Sequence, residues 1–340
     1  MSGFLTDKMG LKKFLLFGMI LGGVSGILRG LSYGFTDLLI YSLLFSFSTV
    51  VITAGSAGVI RIWFTSRELG MANGLWNAFF GVGALTAMLL THSLVIPIAG
   101  GWRSAFMLYA SIMLIAAILW IFLYREPATT TDPAETYTGR PATKMLRSLN
   151  LWLVITAFLF IVGDQNAAIN WMPILLEARG LTPDYAGLLS SIVWVGALSG
   201  SVVIPTVSDR IRRRILPVII LTPVMGVTIY ALAIMSVDSP LLPFTIFGLG
   251  FTSSYAWAMF LTIVMELPEV GRQNVARASG YLLSASGVGA FFLPVLGGFI
   301  RDVTGSLNPA FTAYALSAQI ATISLAFIGL RKRPQSAVSK

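Results

Sequence analysis

Long apolar runs alternate with short polar segments along the whole chain. Each run holds about 18 residues or more, which is enough for a helix to cross a hydrocarbon core about 30 Å thick. The runs are predicted to be helices, because a lipid-exposed strand would leave its backbone groups unpaired. The pattern therefore predicts an all-α integral membrane protein with about ten transmembrane helices. The predicted spans are 13–30, 35–63, 71–96, 102–124, 149–176, 185–206, 215–236, 240–265, 276–300 and 310–330.

One longer polar segment interrupts this pattern near the middle of the chain. Residues 125–148 are rich in Pro and Thr and contain few large apolar side chains, whereas the other connections are short. The segment is predicted to be a cytoplasmic linker between two bundles. The bundle at 1–124 would hold four helices, and the bundle at 149–340 would hold six.

Composition and charge support a membrane location. Hydrophobic residues make up 56% of the chain and charged residues 11%, whereas soluble domains carry about 25% charged residues. When connections are assigned alternately to the two sides, 19 of the 23 lysines and arginines fall on one side. The positive-inside rule makes that side cytoplasmic, with both termini in the cytoplasm of a multi-pass protein of the plasma membrane. Topology thus explains the net charge of +9 without a nucleic-acid partner.

The sequence repeats itself at an offset of 206 residues. The run Gly-Val-Gly-Ala stands at 81–84 and again at 287–290, and an Ala and a Gly ahead of each run also match. Parallel repeats are typical of transporters in which the solute site lies between two halves. The second half has two helices more than the first. The repeat therefore marks the four-helix bundle as incomplete and predicts two further helices ahead of Met1.

The first loop resembles the signature between the second and third helices of the major facilitator superfamily, G-x-L-x-D-x-x-G-x-x-[RK]. The matching residues are Gly3, Asp7, Gly10 and Lys13, with Asp209, Arg210 and Arg213 in a degraded second copy. The resemblance covers the whole chain. It implies a two-bundle fold of twelve helices, the first two of which this sequence lacks. Segments 74–83 and 171–189 are similar to cyanate-porter-like and nitrate-porter-like permeases.

This resemblance implies that the loop motif gates the cytoplasmic side. Asp7 would face the positive N-terminal end of the helix that starts near residue 276, where a carboxylate is stabilised by about 0.3–1 kcal/mol. The pairing would hold the outward-facing state closed, and Gly10 would permit a tight turn. For the lysines of the loop, the alternative is that they set the topology alone.

Asp164 is the one acidic residue that lies well inside a predicted span. An ionisable side chain at this depth is costly unless it is paired or hydrated, so it marks a functional site by default. By resemblance its helix lines the central cavity. We expect Asp164 to take part in proton or cation coupling, and Asn166 and Asn170 to contact the solute. The alternatives are a structural Asp–Asn hydrogen bond and a polar helix face that merely lines water.

Other polar and aromatic residues in the predicted cavity helices are further candidates for solute contact. They are Tyr41, Thr49, Asn77, Trp171, Tyr255 and Trp257. For each aromatic side chain, packing in the core or against lipid is the alternative interpretation.

Missing motifs narrow the function further. The chain has no cysteine and one histidine, so neither a metal site nor a cofactor is predicted. It has no P-loop, which argues against ATP-driven pumping, and no pair of catalytic groups stands out within the spans. The sequence therefore predicts a secondary transporter, not an enzyme, that moves a small polar or organic solute by uniport or proton symport through alternating access.

Two alternatives stay open. One is a truncated membrane protein that inserts but transports nothing, because the first helix of the superfamily lines the cavity. The other is a proton-coupled exporter of drugs or metabolites. The Gly-Pro-rich motif typical of drug antiporters is missing from 71–96, which favours uniport or symport over exchange.

Overall fold

A computed structural model of the chain describes residues 10–64, 69–125, 143–211, 215–265, 267 and 269–331. These residues form helices and no strand, which confirms the predicted all-α class. The helices are α1 (Leu11–Gly30), α2 (Phe35–Trp63), α3 (Leu69–Leu90), α4 (Ile96–Ala99), α5 (Trp102–Leu123), α6 (Thr143–Leu146), α7 (Leu149–Ala178), α8 (Pro183–Ile211), α9 (Ile215–Ile234), α10 (Leu242–Ser253), α11 (Ala256–Met265), α12 (Gly271–Thr304) and α13 (Asn308–Arg331).

Nine helical stretches within the described ranges are long and apolar enough to cross a membrane. The eighth predicted span, 240–265, is instead divided into α10 and α11. Just ahead of the break, the hydroxyls of Thr252, Ser253 and Ser254 donate hydrogen bonds of 2.7, 3.2 and 2.9 Å to carbonyls of the preceding turn. Such hydroxyls compete with the helical backbone for its acceptors and bend helices. The cluster of three therefore accounts for the interruption.

A second irregularity lies between α3 and α4, where Thr91–Val95 form a π-helical turn. Pro97 follows at the start of α4. A proline has no backbone N–H, and its ring crowds the carbonyl four residues earlier. The wider turn relieves this crowding, and the helix then ends at Gly100, whose φ of 82° suits a residue without a side chain.

Contacts between residues divide the chain into two compact units, Met1–Thr136 (unit 1) and Tyr137–Lys340 (unit 2). In unit 1, α1 packs against both α2 and α5. Glycines of α1 allow the close approach. A Cβ at Gly18 would lie 2.9 Å from the side chain of Val51, and one at Gly26 would lie 2.8 Å from that of Ala110. The face of α1 that carries these glycines is therefore the centre of unit 1.

In unit 2, α7 packs against α12 and α13, while α8 packs against α10 and α9 against α13. The α8–α10 contact is so close that a Cβ at Gly250 would overlap the carbonyl of Val193. The largest fully buried side chains of the unit include Phe158 and Tyr314. Because α7 is covered by two long helices, a polar residue on its inner face loses contact with solvent.

Candidate functional site

Asp164 lies on the inner face of α7 and is fully buried, with 0% of its surface exposed. Its Oδ1 accepts a hydrogen bond of 2.6 Å from the hydroxyl of Ser317 in α13. Its Oδ2 has no hydrogen-bond partner among the described residues. No lysine, arginine or histidine forms an ion pair with it in the described part of the chain. The carboxyl group is thus held by one neutral donor and keeps one oxygen free.

The helix packing around Asp164 explains its burial. The preceding residue, Gly163, meets the backbone of α12, where a Cβ would lie 2.8 Å from the carbonyl oxygen of Gly289. A Cβ at Gly289 would in turn overlap the carbonyl of Leu159. Two glycines therefore bring α7 and α12 into backbone contact. This contact leaves little room for water beside the carboxyl group.

A second buried polar group lies near this carboxyl. Tyr314 precedes Ser317 by three residues on α13 and is fully buried, and its main-chain carbonyl accepts a hydrogen bond of 3.0 Å from the Ser317 hydroxyl. Its hydroxyl rests against Gly297 of α12 and has no hydrogen-bond partner in the described ranges. Asp164, Ser317 and Tyr314 form the buried polar cluster of unit 2. Two of its oxygens are free to hold a proton or to accept one further hydrogen bond.

Trp171 lies two turns along α7 from this cluster and is partly buried. Its indole N–H donates a hydrogen bond of 2.9 Å to the carbonyl of Pro294 in α12. The guanidinium of Arg301 lies 5.8 Å from the centroid of its ring. Trp171, which the sequence predicts to contact the solute, therefore joins α7 to α12.

Asn166 and Asn170 lie on a different face of α7 from Asp164. Two residues correspond to a rotation of about 200° around an α-helix. Asn166 is half-buried and donates to the carbonyl of Val162 in its own helix at 2.9 Å, and Asn170 is exposed. The structure thus brings these two amides together along one accessible stripe and separates them from the buried carboxyl.

The other predicted solute contacts differ in how far their side chains are buried. Tyr41 is half-buried, and Thr49 is exposed and donates to the carbonyl of Phe45 at 3.1 Å. Tyr255 is fully buried, and its hydroxyl lies 2.6 Å from that of Thr222, so it packs in the core of unit 2. Asn77 and Trp257 belong to α3 and α11, but their side chains lie outside what the structure describes.

The loop motif is described only in part. Gly10 has a φ of 77° and precedes α1, as a turn glycine requires. Lys13 is exposed on α1, and Arg210 is exposed in the last turn of α8. The remaining members lie outside the described residues or side chains: Gly3, Asp7, Asp209 and Arg213. Its gating role therefore stays a prediction.

Two polar residues that the sequence did not single out have clear roles in unit 2. Ser317 is one of many hydroxyls in apolar helices, and its partner is 153 residues away along the chain. Arg179 follows α7 and donates to the carbonyls of Leu232, Ala233 and Met235 at 2.6–2.9 Å, which closes the end of α9. It also bonds Asn308 at the start of α13 at 2.8 Å. Neither role leaves a local sequence signal, because the acceptors are distant.

Arg179 lines an open cavity of about 610 Å³ together with Asp238, Asn308 and Thr312. Burial lowers the pKa of the Arg179 guanidinium, but an arginine starts from so high a value that it stays charged. No group of His, Cys, Asp and Glu side chains in the described ranges is arranged to hold a metal ion.

The chain is similar in sequence to known membrane transporters. The sequence model of the Major Facilitator Superfamily matches residues 1–276. The chain is 24% identical to the hexuronate transporter of Bacillus subtilis over 335 residues, covering 92% of this chain and 77% of that protein. It is also 24% identical to a probable galactarate/D-glucarate transporter of the same organism over 374 residues, covering 98% and 80%.

The fold is similar to that of solved transporters. A crystal structure of FucP, a Major Facilitator Superfamily transporter in the outward conformation, aligns with a TM-score of 0.63 at 16% identity. The alignment covers 98% of this chain and 86% of that chain. At this identity the likeness concerns the architecture alone, which is a bundle of membrane-spanning helices.

Proposed function

Because this chain belongs to the Major Facilitator Superfamily, we propose that it is a secondary active transporter of small organic acids. Membership confirms the prediction of a transporter rather than an enzyme. The acid class is supported by the hexuronate and galactarate/D-glucarate transporters among its relatives, whose named solutes all carry carboxylates. The transport cycle would be alternating access of two units, as the internal repeat predicts.

The observation that carries the mechanism is the buried carboxyl group of Asp164. A charged carboxylate without water or a cation is strongly disfavoured in an apolar interior, so such a group is stable there as the neutral acid. Oδ1 accepts from Ser317 while Oδ2 is free, so Oδ2 is the atom that would carry the proton. A conformation that exposes Asp164 to water would release this proton. Coupling follows when that exposure alternates with solute binding.

The accessible stripe of α7 supplies a place for the solute. Asn166 and Asn170 offer amide donors and acceptors on a different face from Asp164. Hydroxyl-rich sugar acids need such neutral polar partners. Proton and solute would therefore bind to different faces of one helix, and a rotation or tilt of α7 would connect them.

The decisive test is uptake of labelled D-glucuronate by proteoliposomes that contain the full chain. An inward proton gradient is expected to accelerate uptake and to drive accumulation. Asp164→Asn mimics the neutral acid, so it should keep exchange of solute for solute but lose accumulation in response to the gradient. Ser111→Ala is the matched control, because Ser111 is exposed and bonds only a carbonyl of its own helix, at 2.8 Å.

Three results would contradict parts of this proposal. Unchanged gradient-driven accumulation in Asp164→Asn would remove Asp164 from coupling. Uptake by the wild-type chain that ignores the gradient would indicate uniport. No facilitated movement of any acid in either direction would favour a membrane protein that does not transport.

The narrower predictions of subgroup and orientation are part of the same proposal. A cyanate-porter-like or nitrate-porter-like permease would prefer small inorganic anions, so competition of D-glucuronate uptake by cyanate and nitrate tests that subgroup. Cytoplasmic termini are supported by the distribution of basic residues. Protease access to a C-terminal tag in right-side-out and inverted vesicles tests this orientation.

A further inference from the structure

Arg29 lies in the last turn of α1, where it is half-buried between two aromatic rings of unit 1. Its guanidinium carbon lies 4.2 Å from the ring centroid of Phe106 in α5 and 5.0 Å from that of Phe45 in α2. Both distances lie within the range of cation–π contact. The rings thus stabilise the positive charge and restrict the orientation of the guanidinium plane.

The edge of this guanidinium has no hydrogen-bond partner among the residues that the structure describes. Arginine carries five N–H donors, all of which lie in the guanidinium plane. The Nε of Arg29 is buried and unpaired, and no oxygen of the described residues accepts from its side chain. An aromatic ring interacts with the cation but accepts no strong in-plane hydrogen bond. The Nε is closed to solvent while the residue as a whole is only half-buried, so a ligand would have to meet this guanidinium at its terminal nitrogens.

A second arginine lies at the same end of unit 1. Arg103 is one helical turn before Phe106 on α5, and its main-chain oxygen lies against Gly30. Its side chain lies 4.4 Å from the ring centroid of Trp102 and reaches the carbonyl of Ser32 through two long hydrogen bonds of 3.3 and 3.4 Å. Its donors are therefore weakly used.

Helix dipoles act differently on the two arginines. Helix α5 begins at Trp102, so its unpaired amide groups and the positive end of its dipole lie beside Arg103, whereas Arg29 lies at the negative C-terminal end of α1. Asp37 is the acidic residue in the first turn of the neighbouring α2. It forms no ion pair with either guanidinium in the described structure.

We propose that Arg29, assisted by Arg103, binds the carboxylate of a small organic acid at this end of unit 1. A planar guanidinium donates two parallel hydrogen bonds to a carboxylate, and a lysine does not reproduce that geometry. The two rings pre-orient Arg29 for such a contact. This site rests on the proposed function for the identity of the acid, but its existence does not depend on proton coupling. The phosphate of an anionic lipid has the same oxyanion chemistry and is the other possible source.

The test is binding to the purified full chain in nanodiscs of neutral lipid. Titration with D-glucuronate is expected to raise the melting temperature, whereas D-glucose, which lacks the carboxylate, is expected to have no effect. Arg29→Gln should weaken D-glucuronate binding by about tenfold or more, since one charge-assisted pair corresponds to that factor. Arg29→Lys keeps the charge and loses the paired geometry, so its affinity for D-glucuronate should lie between those of the wild type and Arg29→Gln. Arg103→Gln should weaken binding less.

Arg301→Gln is the matched control, because Arg301 is an exposed arginine beside an aromatic ring in unit 2. A parallel titration with phosphatidylglycerol in the discs separates the two sources. Stabilisation by the lipid that depends on Arg29 assigns the oxyanion site to the membrane. Stabilisation by D-glucuronate that depends on Arg29 assigns it to the solute. Arg29→Lys and Arg29→Gln are expected to melt at the wild-type temperature when no ligand is present. If they do, and neither the stabilisation by lipid nor that by D-glucuronate depends on Arg29, the site does not exist.

Failure of this site and failure of transport give different results. Arg29-dependent binding of D-glucuronate without uptake would overturn the transport function and leave the site. Gradient-driven uptake with unchanged affinity in Arg29→Gln would overturn the site and leave the function.

Discussion

Unit 1 and unit 2 pack two matching helix pairs in the same way, α1 with α5 and α9 with α13. A Cβ at Gly22 would overlap the side chain of Met113, and a Cβ at Gly226 would overlap that of Gln319. The second pair follows the first by 204 and 206 residues. The internal repeat is therefore a repeat of tertiary contacts as well as of sequence.

The same offset also joins residues whose surroundings differ. Gly289 touches the backbone of α7, whereas no described atom lies within 4 Å of a Cβ placed on Gly83. The Ser317 hydroxyl donates to Asp164 as well as to the carbonyl of Tyr314 in its own helix, whereas the Ser111 hydroxyl donates to the carbonyl of Met107 in its own helix. A repeated small or hydroxyl residue thus permits a contact without ensuring it. In unit 2 the contact exists because α7 provides both the backbone and the acid.

The largest contrast is expected for Gly289→Leu against Gly83→Leu. A side chain at Gly289 would be forced into the carbonyl of Leu159, and overpacking of this kind costs about 1–3 kcal/mol or more. At Gly83 the added side chain meets open space, so the change in the free energy of unfolding should stay within about 0.5 kcal/mol. Melting temperatures of the purified chains in detergent measure both. Equal destabilisation would mean that the two glycines are equally packed.

A smaller contrast is expected for Ser317→Ala against Ser111→Ala. The first change removes the one hydrogen bond to Asp164, at a cost of about 1–3 kcal/mol for an unpaired buried acceptor. It should also shift the pH profile of D-glucuronate uptake, which Ser317→Thr should restore because it keeps a hydroxyl. Ser111→Ala should change neither stability nor profile. Identical pH profiles for the two alanine variants would show that Ser317 does not position the carboxyl.

The smallest contrast is expected for Tyr255→Phe in unit 2 against Thr49→Val in unit 1. Both residues are predicted solute contacts. Tyr255→Phe removes a buried hydroxyl pair and should lower stability by about 0.6 kcal/mol, a typical value for hydrogen bonds between membrane helices. The KM for uptake should not change, since this side chain is inaccessible. Thr49→Val should leave stability unchanged and alter KM if Thr49 meets the solute. A KM effect of Tyr255→Phe with unchanged stability would place Tyr255 in the solute path.

The sequence predicted the helical spans well where the bilayer leaves the backbone no alternative. The predicted spans 102–124 and 149–176 correspond to Trp102–Leu123 and Leu149–Ala178. The sequence did not predict the break after Ser253 or the π-helical turn at Thr91–Val95. Both depend on how hydroxyls and Pro97 compete with the helical hydrogen bonds. A hydropathy pattern contains no information about that competition.

By itself the sequence determined that the chain crosses a membrane, that its halves repeat, and that Asp164 is an acid at depth. The tertiary structure decided that Asp164 meets Ser317, that Asn166 and Asn170 lie on another face, and that the buried Nε of Arg29 has no partner among the described residues. The physical reason is that lipid and neighbouring helices are equally apolar. Periodicity therefore shows which residues share a face, but helix packing alone determines what that face contacts.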